Sequence, residues 1–559
     1  MTFSPRSFVL PAAVAIVGVA AIVLWARIEP RVEIAARLPG MDGAPRREPL
    51  PDAPPPIPGQ PTRGAGLPSS LVGAWPWFRG PGRDAISPES LPLARRWGSS
   101  GPKRLWQIEL GEGYAAAVVA GGCVYVLDHV ADGVAERLRG LSAADRQRLA
   151  QAVASVEVHD ASDLERFLDD LVPGDGADAE ASAGEARAQR RARLREWFDH
   201  WLATDRAALV AALQRGWIDQ VDLSADVLRC LSLDDGRELW HNGYRVVVPL
   251  HHGRSRTVPA VFDGVVVTLG PKCHVAAWDG ATGEALWLMD LVLEHGATVP
   301  PWYAGQCPLI DESTGQVILA PGGDALLMAV ELRTGHVVWK SPNPRGWAMT
   351  HSSIIPMELA GRRMYVYCGK GGVAGVDARD GSLLWDTTDW QIGMATCPSP
   401  VPIGDGRVFF CGGYNAGALM LRVVEQSGRF RAETLYRLDA RRFGSEQQTP
   451  VLHGQHLYGV RQRDGRLVCL DLDGTEQWNS GADRFGAAPY MIADGLIFAL
   501  NDEGRLTLAE ATPEAYRVLD RAVVLPDGVD SWGPMALVGG RLIVRDMTRM
   551  VCLDVAASP

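Results

Sequence analysis

A tryptophan that follows a glycine turn recurs along this chain and limits the folds that the chain can adopt. The tryptophans close the segments SLDDGRELW, AWDGATGEALW, AVELRTGHVVW, GVDARDGSLLW and CLDLDGTEQW, at Trp240, Trp287, Trp339, Trp385 and Trp478. Successive positions lie 47, 52, 46 and 93 residues apart, and the last interval contains a degenerate unit at Tyr436. A period of about 40–50 residues is typical of propellers and other repeat arrays.

Each repeat predicts a small antiparallel sheet. From Thr257 to Trp287, four short apolar runs are separated by turns at Asp263–Gly264 and Thr282–Gly283. Glycine permits the positive φ of tight hairpin turns. A four-stranded sheet cannot bury both faces by itself, so the units must pack radially against each other. We expect the outer-strand tryptophans to fill the space between neighbouring blades. These blade-docking residues are Trp106, Trp240, Trp287, Trp339, Trp385 and Trp478.

Counting the repeats predicts an all-β, eight-bladed β-propeller. The units begin near Tyr114, Thr257, Gln306, His351, Cys397, Gln448, Ala487 and Trp532. The last unit has only three strands, so its fourth should come from KRLWQIEL, where Trp106 occupies the tryptophan position. That pairing would close the ring and leave no open edge between its two ends. Seven blades is the main alternative, because the units around Tyr436 and before Leu519 lack the tryptophan.

The repeat resembles a known family. The pattern ALD-x-x-TG-x-x-LW is similar to the pyrroloquinoline quinone (PQQ)-type repeat of quinoprotein dehydrogenases and non-enzymatic bacterial propellers. The segment WPWFRGPGRDAIS, from Trp75 to Ser87, resembles the lead-in of secreted propellers of this superfamily. The resemblance runs from Trp75 to the C-terminus apart from one insertion, and is closer to the outer-membrane-assembly lipoprotein type than to the dehydrogenases. It implies the fold more strongly than the function.

The N-terminal residues predict a membrane anchor and a spacer. Phe8 to Ala26 are 19 residues without a charge, about 28 Å of helix, which is close to the ~30 Å hydrocarbon core of a bilayer. Residues 1–28 are therefore predicted to form a single-pass anchor, with a cleaved signal peptide as the alternative. Residues 29–74 are rich in proline and predict an extended linker. The resemblance favours an inner-membrane protein with its propeller on the periplasmic side.

The remaining sequence divides into the propeller and one insertion. Residues 75–128 predict the start of the propeller, including the closing strand, and residues 227–559 predict the remainder. Residues 129–226 interrupt the first blade with helical patterns, and capping-box signals occur at Ser142–Asp145 and Ser162–Glu165. The arginines between Arg187 and Arg195 are flanked by acidic residues, and the net charge is −11. These charges favour a solvated helix face and exclude nucleic acid as the expected partner.

Strand order separates the two ends of the propeller. Tight turns join the first strand to the second and the third to the fourth, whereas the long connections emerge at the opposite end, which we call the long-loop face. Loops on a rigid scaffold are where binding residues concentrate. The candidate binding residues are His251, His252, Arg254, Arg345, Trp347, His351, Trp390, Tyr414, Asn415, Gln447 and Trp532. The alternative is that these side chains only line or seal the central channel. The insertion should lie at this face too.

The sequence lacks the signature of a quinone cofactor site. In the quinoprotein dehydrogenases that the repeat resembles, PQQ stacks between a tryptophan and a disulfide of adjacent cysteines, beside a Ca²⁺ ion. This chain has nine cysteines and no adjacent pair. His251 and His252 are neighbours in an extended segment and should point apart, so no metal site is predicted. We expect no cofactor, and PQQ with Ca²⁺ only under the enzymatic alternative.

These observations favour a non-catalytic, membrane-anchored, extracytoplasmic propeller that binds a protein through its long-loop face. One alternative is a divergent PQQ-dependent oxidoreductase. Another is a sensor or carbohydrate-binding module in which Trp347, Trp390 and Trp532 stack on sugar rings.

Overall fold

The computed structural model describes residues 57–131 and 221–557, with Gln147 and Ala150 between them. The chain divides into two compact units, 1–50 and 51–559, and the described residues belong to the second. The predicted anchor at residues 1–28 lies outside the described residues, as do most of the predicted linker and most of the predicted insertion. Among the residues that are described, no helix is long and apolar enough to span a bilayer.

Eight antiparallel sheets form the blades of a β-propeller, as the repeat predicts. Blade 1 contains β3 (Val118–Ala120), β4 (Cys123–Ala131), β5 (Val221–Ser232) and β6 (Glu238–Pro249), with β1 (Thr62–Arg63) added outside β6. Blade 2 contains β7 (Ala260–Phe262), β8 (Val265–Leu269), β9 (His274–Asp279) and β10 (Ala285–Asp290), followed by the short helix α1 (Leu291–His295). Blade 3 contains β11 (Leu309–Asp311), β12 (Gln316–Leu319), β13 (Met328–Glu331) and β14 (Val337–Lys340).

The other blades repeat this order. Blade 4 contains β15 (Ile355–Leu359), β16 (Arg362–Gly369), β17 (Gly372–Asp377) and β18 (Leu383–Thr387). Blade 5 contains β19 (Val401–Gly404), β20 (Arg407–Gly412), β21 (Gly417–Gln426) and β22 (Arg429–Leu438). Blade 6 contains β23 (Val451–His453), β24 (His456–Arg461), β25 (Arg466–Asp471) and β26 (Glu476–Asn479). Blade 7 contains β27 (Tyr490–Ala493), β28 (Leu496–Leu500), β29 (Arg505–Glu510) and β30 (Val518–Val523). Blade 8 contains β31 (Ala536–Val538), β32 (Arg541–Arg545), β33 (Arg549–Asp554) and β2 (Lys103–Glu109).

The ring closes with the strand that the sequence predicts. β2 pairs antiparallel with β33, and Trp106 lies opposite Cys552. The innermost strand of blade 8, β31, contacts the innermost strand of blade 1, β3, which in turn contacts β7 of blade 2. The eight-blade count is therefore confirmed over the seven-blade alternative. Because β2 precedes the first complete blade in sequence, both ends of the propeller chain are held in one sheet.

Most of the repeated tryptophans join one blade to the next. The Trp240 indole Nε1 donates to the Gly280 carbonyl of blade 2 at 3.1 Å, and its ring lies against Gly283. Trp287 repeats this arrangement on blade 3, where Nε1 donates to the Leu332 carbonyl at 2.9 Å. Trp106 joins blade 8 to blade 1, and Trp478 joins blade 6 to blade 7. Trp385 differs: its Nε1 lies 3.3 Å from Met364 Sδ in its own blade.

The exception at Trp385 has a structural cause. In the other blades, the indole packs on the turn between the third and fourth strands of the next blade. In blade 5 those strands, β21 and β22, are 10 residues each and pair as far as Gln426 and Arg429. The longer hairpin carries its turn away from blade 4, so Trp385 has no equivalent glycine to pack on.

A line of hydrogen bonds joins the starts of successive blades near the axis. The Cys307 N–H donates to Ser353 Oγ at 3.0 Å, the Ser353 N–H to Ser399 Oγ at 3.1 Å, and the Ser399 N–H to Thr449 Oγ1 at 2.9 Å. The Val258 N–H lies 3.3 Å from Cys307 Sγ and extends the line to blade 2. Small polar side chains at one repeat position thus accept hydrogen bonds from buried backbone N–H groups. Buried polar groups in proteins usually have such partners.

Part of the predicted linker packs on the propeller. β1 pairs with the outer edge of β6, with Thr62 opposite His241. Further along, Trp75 bridges Val119 of β3, and the Val261 N–H donates to the Pro76 carbonyl. Residues 59–66 of the predicted linker therefore lie along β6. They contribute an edge strand because the outer edge of blade 1 offers them backbone hydrogen-bonding partners.

The segment from Trp75 to Ser87 lies across the tight-turn end of the ring. Its buried Arg79 donates to the carbonyls of Thr449 and Pro450, at 2.6 and 2.8 Å. Arg83 reaches the Ile310 carbonyl of blade 3, and Ile86 bridges Ile492 of blade 7. One short segment thus contacts the inner strands of several blades around the axis and covers this end of the propeller.

The paired ends of β4 and β5 extend into the predicted insertion. β4 and β5 stay paired from Cys123 opposite Ser232 to Ala131 opposite Ser224, so residues 129–131 and 221–226 belong to blade 1. The predicted insertion of residues 129–226 therefore overlaps the paired ends of these two strands. Residues 132–220 can hold the insertion, and they leave blade 1 between its second and third strands.

One buried carboxylate links blade 3 to blade 4 and predicts an acid-sensitive stability. Asp311 is 1% exposed and accepts hydrogen bonds from Arg363 Nε at 2.8 Å and Tyr365 Oη at 2.7 Å. Burial alone would raise its pKa, but these donors and Ser313 outweigh burial and lower the pKa to about 2. The ionised Asp311 carboxylate therefore stabilises the folded state. This stabilisation is present above the pKa of the carboxyl group in the unfolded state, near 4, and is lost as the pH falls towards 2.

We therefore expect Asp311→Asn to be less stable than the parent protein at pH 7. The difference in unfolding free energy should shrink by about 2 kcal/mol between pH 4 and pH 2. Urea denaturation followed by circular dichroism at several pH values measures it. Asp405→Asn is the control, because Asp405 lies in an exposed turn and its side chain is 83% exposed. A constant difference between Asp311→Asn and the parent over this range would contradict the prediction.

Candidate functional site

The long-loop face has an aromatic and polar cluster around the propeller axis. Tyr114 precedes the inner strand of blade 1, and its hydroxyl lies 2.7 Å from His252 Nδ1 and 3.3 Å from an Asp530 carboxylate oxygen. The Tyr114 ring packs at 5.0 Å from the Trp532 ring. The connections from blade 1 to blade 2 and from blade 7 to blade 8 therefore meet at Tyr114. We call the group of Tyr114, His252, Arg256, His351, Tyr414 and Trp532 the channel mouth.

Arg256 lies at the centre of the channel mouth. Its Cζ is 5.0 Å from the centroid of the Tyr114 ring, and Nη2 donates to the His252 carbonyl at 2.8 Å. Electrostatic interactions connect it with Tyr114, Tyr303, Cys397 and Tyr414, which come from four different segments of the chain. Burial is the main cause of a lowered Arg256 pKa. The guanidinium still remains charged at neutral pH, as arginine does in proteins.

The histidines of this cluster are neutral at pH 7. Burial, followed by the Arg256 charge, lowers the pKa of His351 to about 4. Burial and Arg256 also lower the pKa of His252 to about 4, and His251 shifts in the same direction. The rings of His251 and His252 lie 4.4 Å apart. Protonating two imidazoles beside an arginine would add electrostatic repulsion between like charges. The positive charge of the channel mouth therefore comes from arginine.

Three other candidate residues, Arg345, Trp347 and Trp390, lie in the connections that follow blades 3 and 4. Arg345 pairs with Asp386 at 2.5 Å and lies 5.8 Å from the Trp347 ring centroid. Trp347 is 6% exposed, and Gly371 and Gly372 lie directly against its ring. Trp390 is 3% exposed, with its ring centroid 6.5 Å from that of Phe410. Both indoles are therefore packing residues, and neither offers an open ring face.

The remaining candidates, Arg254, Asn415 and Gln447, lie in connections at the long-loop end. Arg254 pairs with Glu112, whose backbone carbonyl also accepts from the Arg254 N–H. Tyr414 and Asn415 form the turn after β20, with φ values of 55° and 64°, and Asn415 is exposed. Gln447 is half-buried, and its neighbour Gln448 donates to the carbonyls of Ala487 and Trp532. Gln448 thereby fixes the loop that carries Trp532.

A groove continues from the channel mouth between blades 6 and 7. The Trp532 indole Nε1 donates to Asp502 Oδ1 at 2.7 Å, and Asp502 lines a concavity of about 540 Å³. The carboxylates of the groove are held by donors: Asp464 pairs with Arg461, and Asp483 with Arg521. The groove is therefore a polar, preformed surface that begins where the aromatic cluster ends.

Four residues of this centre were not predicted as site residues from the sequence. Tyr114, Arg256, Tyr303 and Cys397 converge here, whereas the sequence emphasised the neighbouring His251, His252 and Arg254. The available signal was position, because Arg256 lies four residues before β7 and Tyr114 four residues before β3, the first strands of their blades. Residues at the start of an inner strand lie nearest the axis, which a repeat alignment can identify without a structure.

The residues of the channel mouth do not fit the quinone site of the dehydrogenases. Cys397 has no adjacent cysteine, and every cysteine among the described residues is unpaired. Within residues 57–131 and 221–557, no three side chains of His, Cys, Asp or Glu converge to hold a metal ion. The donor set is instead one guanidinium with tyrosine hydroxyls and neutral imidazoles. Such a set recognises an anionic or polar group rather than a hard cation.

The chain is similar to known propellers. The PQQ_2 family model, described as outer membrane protein assembly factor BamB, matches residues 224–480. Outer membrane protein assembly factor BamB of Shewanella oneidensis is 24% identical over 204 residues, which are 34% of this chain and 46% of that protein. The chain therefore spans about half the length of this curated relative.

Solved structures with a similar fold include a BamB protein and a methanol dehydrogenase. BamB from Moraxella catarrhalis is 15% identical with a TM-score of 0.39, covering 53% of this chain and 82% of that one. A europium-containing methanol dehydrogenase is 13% identical with a TM-score of 0.38, covering 84% of this chain and 89% of that one. The repeated sequence pattern, the closed ring of eight four-stranded blades and the family match place this chain in the PQQ-like β-propeller superfamily.

Proposed function

We propose that the propeller is a non-catalytic scaffold that binds a protein partner through its long-loop face. The observation that carries the proposal is the difference between the two ends of the ring. At the tight-turn end, the chain's own segment around Arg79 covers the inner strands. At the long-loop end, the partly exposed side chains of Arg256 and Trp532, the exposed His252 and a polar groove remain at the surface. Exposed aromatic and arginine side chains are typical of protein interfaces.

Blade 1 enlarges the proposed binding surface. β5 and β6 contain 12 residues each, and their pairing continues to Val221 opposite Pro249. The corresponding strands of blade 2 contain only 6 residues each. The extra length lies at the long-loop end, because β4 and β5 lead there into residues 132–220. We propose that this hairpin carries the insertion beside the partner.

The curated relative supports an assembly role. BamB of Shewanella oneidensis is named an outer membrane protein assembly factor. By analogy, the partner proposed for this chain is a component of a protein assembly complex, and the propeller is proposed to lie in the periplasm. Attachment to the inner membrane through residues 8–26 remains part of the proposal. It rests on the uncharged sequence alone.

The alternatives have less support in the described residues. A carbohydrate platform would need exposed indole faces, but Trp347 and Trp390 are buried. A quinone enzyme would need a cofactor cage that the channel mouth does not form. Reconstitution of the purified protein with PQQ and Ca²⁺ tests the second alternative directly. A bound-quinone spectrum or dye reduction would overturn the non-catalytic proposal.

Site-specific photocrosslinking in cells tests the binding face. We expect a photoreactive residue at His252 or Asn415 to give one recurrent protein adduct, because both positions are exposed at the long-loop end. Matched probes at Asp405 and Glu358 report on the tight-turn end, where both side chains are exposed. Mass spectrometry of the adducts measures identity and yield. We expect at least about tenfold more adduct from the long-loop positions, which corresponds to about 1.4 kcal/mol of preference.

The pattern of adducts decides the proposal. Equal yields from all four positions would indicate collision rather than a binding face. Adducts from Asp405 and Glu358 alone would place the partner at the tight-turn end and contradict the proposed orientation. If a deletion of residues 132–220 leaves the His252 adduct unchanged, the insertion is not part of the proposed binding surface. The long-loop face would still be the binding face.

A further inference from the structure

The channel mouth contains a cation that lacks an anionic partner. Arg256 makes no ion pair with a carboxylate anywhere in the described part of the chain, although its neighbours in sequence and space do. Its Nε is buried without a hydrogen-bond partner among the described residues, and only Nη2 donates, to a backbone carbonyl. Leaving buried donors of a charged group unsatisfied is costly. A site that keeps such a group is a candidate for binding an anion.

The carboxylates near Arg256 are engaged with other groups. Glu112 pairs with Arg254, and Glu446 accepts from Gln462 Nε2 at 2.8 Å. Asp530 accepts from the Tyr114 hydroxyl, and its pKa is raised mainly by burial. None of them is among the groups that affect Arg256 most strongly, which are the side chains of Tyr114, Cys397, Tyr303 and Tyr414. The arginine therefore faces polar but uncharged groups.

We propose that Arg256 binds a carboxylate group of the partner polypeptide in the channel mouth. The proposal rests on the scaffold function proposed above and names the chemistry of its central contact. A single guanidinium matches a group with a single negative charge. The nearby Glu112, Asp530 and Glu446 would repel a phosphate dianion or a polyanion more strongly than one carboxylate. Tyrosine hydroxyls beside the guanidinium can donate further hydrogen bonds to a carboxylate.

The geometry also favours a protruding partner residue over a flat contact. Arg256 is surrounded by side chains from the starts of several blades, and Tyr114 packs beside it with Trp532 and His252. The guanidinium is therefore set within a ring of aromatic groups instead of at the rim. An acidic side chain, or the C-terminus of a chain, can enter such a ring and become partly desolvated. A charge-assisted hydrogen bond is stronger in that setting than on an open surface.

Peptide titration of the purified full chain tests the inference. The first probe is a hexapeptide with blocked ends and two central aspartates, and the second carries asparagines there and a free C-terminal carboxylate. Isothermal titration calorimetry at constant ionic strength measures binding. We expect one probe to bind the parent protein and Arg256→Gln to weaken it about tenfold to a hundredfold. Arg345→Gln is the matched control, because Arg345 already pairs with Asp386.

Each outcome distinguishes the carboxylate contact from the scaffold proposal. Binding of the first probe assigns the contact to an acidic side chain, and binding of the second assigns it to a chain end. Equal affinity in the parent protein and Arg256→Gln, or no binding of either probe to the parent protein, would overturn the inference. If the His252 crosslink persists at equal yield in Arg256→Gln, the scaffold function stands and the carboxylate contact is wrong. Unchanged circular dichroism verifies that Arg256→Gln is folded.

Discussion

Replacing Trp106 by alanine should lower the free energy of unfolding of the propeller by about 3–5 kcal/mol, the usual cost of truncating a buried tryptophan. Trp106 is 6% exposed, packs on Gly236 and donates its indole Nε1 to the Leu233 carbonyl at 2.9 Å. It belongs to β2, the only strand of blade 8 that comes from the N-terminal side. The substitution therefore removes a side chain that joins blade 8 to blade 1, where the ring closes.

Two variants separate the parts of this effect. Trp106→Phe keeps most of the apolar contact and loses the indole hydrogen bond, so we expect a loss of about 1–2 kcal/mol. Val523→Ala, on an outer strand at a position that is 61% exposed, should cost less than about 0.5 kcal/mol. Urea denaturation followed by far-ultraviolet circular dichroism gives the free energies. A Trp106→Ala loss as small as that of Val523→Ala would contradict a closing role for the indole.

The periodic part of the fold could be predicted from the sequence. Tight turns such as Asp263–Gly264 have positive φ at both residues, 49° and 73°, as a two-residue hairpin requires. The tryptophan spacing gave the blade count, and the incomplete last unit predicted the closing strand. These features depend on local turn chemistry and on repetition, so one repeat provides information about the others.

The features that break the repeat could not be predicted in the same way. Nothing in the Trp385 motif indicates that the β21–β22 hairpin of the next blade is too long to receive its indole. The packing of residues 59–66 on β6 depends on an edge that exists only in the folded ring. The ends of β4 and β5 enter the predicted insertion because their pairing continues as far as Ala131 opposite Ser224, which the helical pattern of the sequence does not indicate.

The sequence predicted which face of the propeller carries the candidate residues, but it did not predict which of them meet at the axis. The sequence placed His252, His351 and Trp532 on the same side of the ring, and the structure brings them around Arg256. It also selected Trp347 and Trp390, which the structure buries. Strand order assigns a loop to an end of the propeller, but it does not report the distance of a side chain from the axis. That distance decides whether an indole is buried between blades or has a ring face exposed to solvent.

Gly283→Ala should lower the free energy of unfolding by about 2–5 kcal/mol, for two separable reasons. Gly283 has φ 77°, and a residue with a Cβ pays about 1–2 kcal/mol for that left-handed conformation. A Cβ at this position would also lie 2.5 Å from Cε3 of Trp240, which is fully buried and cannot move aside. Forcing extra volume into a packed site costs about 1–3 kcal/mol more.

Gly264→Ala is the matched control for the backbone part of this cost. Gly264 has φ 73°, and a Cβ there would meet nothing within 4 Å, so only the conformational cost applies. The difference between the two variants therefore measures the contact between the indole and the glycine that joins blade 1 to blade 2. In a Trp240→Ala background that difference should disappear, since the ring that the new methyl group meets is gone. Equal losses for Gly283→Ala and Gly264→Ala in the parent protein would show that the tryptophan does not constrain the turn of the next blade, and the role assigned to the repeated motif would be wrong.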